Sequence, residues 1–397
     1  MSPESTKPEQ EKGRLLYVDG MRAGAALIVL INHVYQQVYW TVEPASRLGK
    51  KFAPLLQLGH WAVVVFIVLS GFCLMRPVVL SGDLKGGVKR FYIARALRIL
   101  PAYWAAVALV LMLIATVIGR KHGIMYDVSL PVTAGGLLSH VLLLHNLAPP
   151  PYVSYSGNPE ICSVFWTIAL EWQIYFWFPL FVRIWQRWNA VTLVAGVGVV
   201  STLVYYATQH LRVGGINWCG LNANFYLFFV LGMLSAVVVF SENGAHRAQN
   251  LPWSLFAVGA VVAFVVLMKL FPKRLEFHDL CAAIFATALL VVGARGGAVG
   301  RGLSFRPLAA MGLFSYSFYL LHLPILAIIT DYVILPLVGH VARPILCVLL
   351  LLLSVPTVTA VAWAFARVFE DRRVLLAYGA RLRALVGFTS LSQESGS

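Results

Sequence analysis

Tyr17-Val18-Asp19-Gly20-Met21-Arg22-Ala23-Gly24-Ala25-Ala26-Leu27-Ile28-Val29-Leu30-Ile31-Asn32-His33 is apolar along its length and ionisable at its ends. Continued to Trp40, it supplies the roughly 20 residues, at 1.5 Å each, that a helix needs to cross about 30 Å of hydrocarbon. Arg22 and His33 lie about three helical turns apart and therefore on one face, with roughly 16 Å between them along the axis. One stripe thus joins a cation at a membrane boundary to a deep imidazole. Ionisable groups inside hydrocarbon are costly and need a partner, a cavity or a function. Either Arg22 snorkels to lipid phosphates and His33 is a satisfied core histidine, or the stripe carries chemistry. Asp19, three residues before Arg22, is placed to pair with it or to cap the helix start.

The rest of the chain repeats this apolar character. Of its 397 residues, 59% are hydrophobic and 12% charged, with a mean hydropathy of +0.78. A soluble domain carries about a quarter charged residues, so a water-soluble fold is excluded. The formal charge of +15 does not point to nucleic acid, because the Lys and Arg residues sit in short clusters between apolar stretches. The five cysteines, Cys73, Cys162, Cys219, Cys281 and Cys347, are isolated, with no C-x-x-C spacing, so neither a disulfide framework nor a structural metal is indicated. The first residues are polar, and no small-residue cleavage site follows the apolar run from Ala23, which is expected to remain as the first membrane helix.

Ten spans are expected, at about 20–40, 59–80, 99–119, 163–183, 190–208, 222–240, 252–271, 278–294, 308–333 and 344–366. The apolar stretch from Gly135 to Leu147 is too short and runs into Pro149, Pro150 and Pro151, so it reads as one short re-entrant or interfacial helix. With both termini cytoplasmic, about two thirds of the 31 Lys and Arg residues fall inside, as the positive-inside rule requires. An eleventh span would put Arg183, Arg187 and the basic C-terminal segment outside. The expected fold class is therefore an all-α polytopic integral membrane protein of about ten transmembrane helices. A disordered cytoplasmic segment occupies 1–14, the membrane domain 15–366 and a basic cytoplasmic tail 367–397, in which Val374 to Val386 suits an amphipathic helix on an anionic leaflet.

Three further motifs carry ionisable groups. Arg90-Phe91-Tyr92-Ile93-Ala94-Arg95-Ala96-Leu97-Arg98 puts Arg95 and Arg98 on one helical face at the cytoplasmic boundary, suited to phosphate or to ordinary anchoring. Phe165-Trp166-Thr167-Ile168-Ala169-Leu170-Glu171-Trp172-Gln173 carries a carboxylate at a depth where it requires a partner. Ser315-Tyr316-Ser317-Phe318-Tyr319-Leu320-Leu321-His322-Leu323-Pro324 carries a second deep histidine. Counted from the boundaries, His33, Glu171 and His322 are expected at matched depth in the outer half of the membrane. His60, His140 and His145 read as surface or interfacial. No H-E-x-x-H, G-x-S-x-G or P-loop pattern occurs.

Together these motifs resemble the membrane-bound acyltransferase-3 family, which O-acylates bacterial polysaccharides and some macrolides. The family's basic-x10-His pattern corresponds to Arg22 and His33, preceded by Asp19 and Gly20. Its R-x-x-R corresponds to Arg95 and Arg98, its W-S/T-x-x-x-E to Trp166, Thr167 and Glu171, and its S-Y-S-x-Y-x-x-H-x-P to Ser315 through Pro324. Two departures stand out: no extracytoplasmic esterase-like domain follows the last span, which implies a separately encoded partner or independent action, and Trp172 stands where many relatives carry a second Glu.

The resemblance implies an O-acyltransferase of the bacterial inner membrane, with acetyl-CoA or another acyl-CoA as donor and no metal. Its acceptor would be the hydroxyl of an extracytoplasmic sugar or polysaccharide, with a macrolide as the alternative within the family. Arg22, Arg95 and Arg98 would bind the donor's phosphates, His33 would act as general base or nucleophile, and Glu171 and His322 would orient it. The competing class is a proton-coupled transporter, whose relays also use intramembrane His and Glu. Transporters are commonly built from repeated halves, and no internal repeat is detectable here.

Overall fold

The computed structural model describes residues 14–39, 58–118, 133–147, 162–211, 214, 216–241 and 250–371. The expected amphipathic helix from Val374 and the Pro149 to Pro151 break lie outside the described residues. Among these residues the chain forms helices and no strand, only one isolated bridge between Val338 and Val341. The long helices are α1 (Leu16–Tyr39), α2 (Leu58–Ser81) and α3 (Gly87–Leu113, continued by a π-turn over Ile114–Ile118). After the short α4 (Ala134–Val141) come α5 (Trp166–Arg187), α6 (Ala190–His210), α7 (Asn224–Phe240), α8 (Trp253–Leu270) and α9 (Leu275–Ala294). Two short helices, α10 (Gly297–Leu303) and α11 (Arg306–Gly312), lead into α12 (Ser315–Ile329) and α13 (Arg343–Phe369).

Eight of these segments are long and apolar enough to cross a membrane. The protein is a multi-pass all-α membrane protein. The two other long helices, α1 and α5, are the ones that carry Asp19 and Arg22, and Glu171 and Arg183. Their polar content lowers their hydropathy, and it is that content which builds the site. Helix α4 has eight residues and spans only about 12 Å, too little to cross. Thr133 caps it by accepting from Gly136 N at 3.1 Å, and Leu143, at φ 54°, turns the chain away after it.

The bundle is tightest where glycines face backbone. A Cβ on Gly71 of α2 would lie 2.0 Å from Phe229 O of α7, and one on Gly232 of α7 would lie 1.9 Å from Val68 O of α2. Such reciprocal small residues let two helices approach closely in a membrane, where van der Waals packing drives association. Helices α6 and α8, by contrast, leave Val191, Val199, Leu203, Leu255, Val258 and Val262 exposed. An apolar face without a protein neighbour is what a lipid-facing helix presents.

Contacts sort the helix ends into two levels. At one end Arg14 donates to Ala309 O, a Cβ on Gly20 would meet Leu303 O, and Gln186 donates to Gly82 O. At the other, Asn32 lies against Gly59, His60 pairs with Asp279, and Asn146 Nδ2 donates to Gly220 O. Helix α1 connects the two levels, with Gly20 at one and Asn32 at the other, and α5 runs from Gln173, bonded to Asn146, to Gln186, bonded to Gly82.

Candidate active site

The first-helix stripe runs from a charged mouth to a histidine pair. Arg14 Nε bonds Asp19 at 2.6 Å and Arg22 Nη1 lies 3.7 Å from the same carboxylate, so Asp19 pairs with two guanidiniums. The other Arg22 nitrogen donates to Cys73 Sγ at 3.1 Å. Arg22, Arg95 and Arg98 line one end of a cavity of about 100 Å³ between α1, α2, α3, α5 and α12. Beside it, Glu370 at the end of α13 accepts from the Ser317 backbone N–H at 2.9 Å and from its hydroxyl. Burial holds the Glu370 carboxyl above its usual range, against the opposing pull of Ser317, Arg98 and Arg22.

Midway along the cavity, Glu171 is held by two hydroxyls. Ser70 donates to Glu171 Oε1 at 2.6 Å and Tyr175, one turn further along α5, donates to the same oxygen at 2.5 Å. Ser70 and Tyr175 are also 2.7 Å apart. The inner end of the cavity is lined by Thr167 and Tyr319, whose hydroxyls meet at 3.0 Å.

The histidines lie just beyond. Tyr319 and His322 have ring centroids 5.5 Å apart, and those of His322 and His33 are separated by 5.1 Å. His322 Nδ1 is 2.6 Å from Tyr319 O, and a carbonyl only accepts, so Nδ1 carries the proton and Nε2 the lone pair of the neutral ring. His33 Nδ1 lies 2.9 Å from Val29 O and 3.2 Å from His322 Nε2. Both neighbours accept, which fixes the His33 proton on Nδ1 and leaves its Nε2 with a free lone pair. His322 is 1% exposed, whereas His33 is only partly buried. The pair therefore presents one open basic nitrogen, backed by a buried orienting ring.

The structure brings His33 and His322 together and places Glu171 elsewhere. Glu171 is one turn from Thr167 toward the arginines, while His322 is one turn from Tyr319 away from them. Because Thr167 bonds Tyr319, Glu171 and the histidines are separated by roughly 10 Å along the axis. Among the described residues Glu171 makes no hydrogen bond to His33, contrary to the expectation that it orients that ring. Glu171 and the histidines therefore lie at different levels, in place of the matched depth expected from counting along each helix.

Of the three histidines read as surface or interfacial, His60 is partly exposed, whereas His140 and His145 are not surface residues. His140 and His145 are 1% and 0% exposed and stack at 4.2 Å. Burial pushes the His140 imidazole down to about 4 and that of His145 well below its usual value. His60 bonds Asp279 at 3.0 Å and stacks on Trp166. Gln173, beside the position that lacks a second Glu, exchanges hydrogen bonds with Asn146 at 2.9 and 3.3 Å and donates to Leu143 O at 3.1 Å, tying the α4 turn to α5.

Ser70, Cys73, Tyr175 and Glu370 were not expected at the site from the sequence. Tyr175 had a usable signal, its i+4 spacing from Glu171. Ser70 and Cys73 sit in an otherwise apolar helix, with nothing local to mark which of its faces meets α5.

This arrangement, a cationic mouth leading to a polarised imidazole, agrees with the comparison against known families. The family model of acyltransferase-3, described as an acyltransferase domain, matches residues 15–367. The chain belongs to this family. It is an acyltransferase. It is 26% identical to the acyltransferase MdmB of Streptomyces mycarofaciens over 78% of each chain. It is 22% identical to the peptidoglycan O-acetyltransferase OatA of Listeria monocytogenes over 79% of this chain and 49% of the relative, and 24% identical to nodulation protein 10 of Rhizobium leguminosarum over 52% and 54%. The chain thus spans most of the first relative and about half the length of the other two. No solved structure matches it.

Proposed function

We propose that this acyltransferase moves an acyl group, acetyl in the simplest case, from acyl-CoA at the cytoplasmic mouth to a hydroxyl of an extracytoplasmic carbohydrate. The observation that carries the reading is one cavity with Arg22, Arg95 and Arg98 at one end and Tyr319, against the His33 and His322 pair, at the other. Guanidiniums in a cluster suit the phosphates of a nucleotide donor, which they hold by forked, charge-assisted hydrogen bonds. The apolar lining of Val63, Phe66, Ile67 and Ile168 suits an uncharged arm threading inward. The carbohydrate acceptor draws on the resemblance to a peptidoglycan O-acetyltransferase.

In this mechanism His33 Nε2 takes the proton of the acceptor hydroxyl as its oxygen attacks the thioester carbonyl. The carbon–sulfur bond breaks, the thiolate leaves as CoA and the proton follows it. Alternatively the same lone pair attacks the thioester first, giving an acyl-histidine that the acceptor then resolves. His322 stabilises the charge that develops on His33 and fixes its tautomer. Acyl label retained on His33 after quenching without acceptor marks the second course.

The membrane arrangement belongs to the same proposal: ten crossings of the bacterial inner membrane, counting α1 and α5, with both ends of the domain cytoplasmic. A separately encoded extracytoplasmic esterase-like partner is compatible with it. The test is calorimetric titration of acetyl-CoA into the purified protein in detergent. The wild type and His33→Ala bind, and Arg95→Ala/Arg98→Ala binds more weakly. A folded wild type that binds no acetyl-CoA overturns the donor assignment.

A further inference from the structure

Between the arginines and the Thr167–Tyr319 pair, the carboxylate that lines the cavity is Glu171, held by Ser70 and Tyr175. Its hydrogen bonds are unevenly spent. Both hydroxyls converge on Oε1, and Oε2 has no hydrogen-bond partner among the described residues. A carboxylate has about four lone-pair sites and is expensive to bury without partners. Arg22 and Arg95 are near enough to interact electrostatically with Glu171, but neither forms an ion pair with it, and Arg22 is spent on Asp19 and Cys73. Glu171 is therefore fixed in orientation by two donors on one oxygen while the other remains available in the cavity.

What a donor presents at this level follows from its chemistry. An acyl-CoA whose phosphates lie at the arginines extends its pantetheine arm inward, and the polar groups of that arm are two secondary amides, each with one N–H to place. We propose that Glu171 Oε2 accepts an amide N–H of the pantetheine arm, and that Ser70 and Tyr175 are positioning residues that hold the carboxylate turned toward it. This deepens the acyl-CoA reading above and rests on it. A charge-assisted hydrogen bond at mid-arm sets how far the thioester travels past Thr167 and Tyr319 toward His33. It also gives Glu171 a function that requires no contact with His33, in keeping with the roughly 10 Å between them.

The proposal separates two halves of the donor, and two ligands read them apart. Acetyl-CoA carries phosphates and arm, whereas 3′-phospho-ADP carries the phosphates alone. Affinities of both are measured by calorimetry for the full chain in detergent, with thermal unfolding as the folding control. Glu171→Gln weakens acetyl-CoA by on the order of tenfold, the scale of a hydrogen bond to a charged group, and leaves 3′-phospho-ADP within about twofold. Tyr175→Phe, which keeps the ring and removes one holding donor, gives the same pattern with a smaller loss. Arg95→Ala/Arg98→Ala weakens both ligands. If Glu171→Gln leaves acetyl-CoA binding unchanged, or weakens the two ligands equally, the amide contact is wrong. If the folded wild type binds neither ligand, the acyl-CoA reading itself falls.

Discussion

His33 is the residue on which the chemistry turns, and its neighbours fix what it can do. With its proton held on Nδ1 by Val29 O and His322 Nε2, the reactive position is Nε2. His33→Ala is expected to lower the transfer rate by about 10²- to 10⁴-fold, the range of a positioned general base, with the Kd for acetyl-CoA unchanged. His322→Ala leaves the base in place but frees its ring, and a smaller loss of about ten- to a hundredfold in kcat is expected, with donor KM unaltered. Steady-state kinetics with a hydroxyl acceptor check both; a larger loss for His322→Ala than for His33→Ala would reverse the two roles. That His33 and His322 meet agrees with counting each along its helix from a charged end, which placed them at similar depth. Glu171's surroundings were only partly legible in the sequence. Tyr175 could be read from its i+4 spacing, but Ser70 is brought to Glu171 by how α2 and α5 rotate against each other, which no local pattern encodes.

Among the elements, α2 and α7 fix the wall of the cavity that carries Ser70 and Cys73, because their backbones touch at Gly71 and Gly232. A side chain there has to displace backbone rather than a flexible group. Gly71→Val is expected to destabilise the protein by about 1–3 kcal/mol or more, whereas Gly24→Ala, whose Cβ meets nothing within 4 Å, stays within about 0.5 kcal/mol. Thermal unfolding in one detergent compares them, and equal melting of the two variants would refute the close crossing. The α4 turn supplies a different prediction. The buried, stacked His140 and His145 are neutral in the fold, with His140 held down at about 4, while unfolded histidine titrates near 6.5. The folded segment then binds fewer protons than the open one, so its stability is complete above about pH 6.5 and is lost as the pH falls from there toward 4. Hydrogen exchange over residues 134–147 is expected to quicken between pH 7 and 5, after correction for the intrinsic rate, with His140→Phe reducing the effect and His140→Phe/His145→Phe removing it. The sequence located this short element by its length and flanking prolines, but the burial of its histidines depends, beyond their own stacking, on Tyr103 of α3 and Phe165 before α5, which are distant in the chain.

Over the whole molecule, the number of crossings decides which end of the cavity faces which compartment. Eight helices qualify by apolarity alone, and the two that do not are the carriers of Arg22, His33 and Glu171. If α1 and α5 cross as the other eight do, every connection has a fixed side. The turn at Asn189 and the one at Gly296 lie with Arg22, Arg98 and Glu370, while Gly214 and Lys273 lie at the opposite end, near His60 and Asp279. Single cysteines placed at these four positions, in a chain whose native cysteines are replaced by alanine or serine, read the sides directly. In intact cells a membrane-impermeant maleimide is expected to label the cysteines at 214 and 273 and to leave those at 189 and 296 unlabelled until the membrane is opened. The opposite pattern would put the arginine cluster outside, away from cytoplasmic acyl-CoA. Labelling at 189 together with 214 would mean that α6 does not cross, and either result would break the route from donor mouth to His33. The positive-inside distribution favours the first outcome because Arg183 and Arg187 flank the Asn189 turn and Arg295 and Arg301 flank Gly296. On that outcome the arginines that set the protein's orientation and those proposed to hold the donor belong to one cytoplasmic surface, and the charge asymmetry that inserts the chain also presents its active-site mouth to the phosphates.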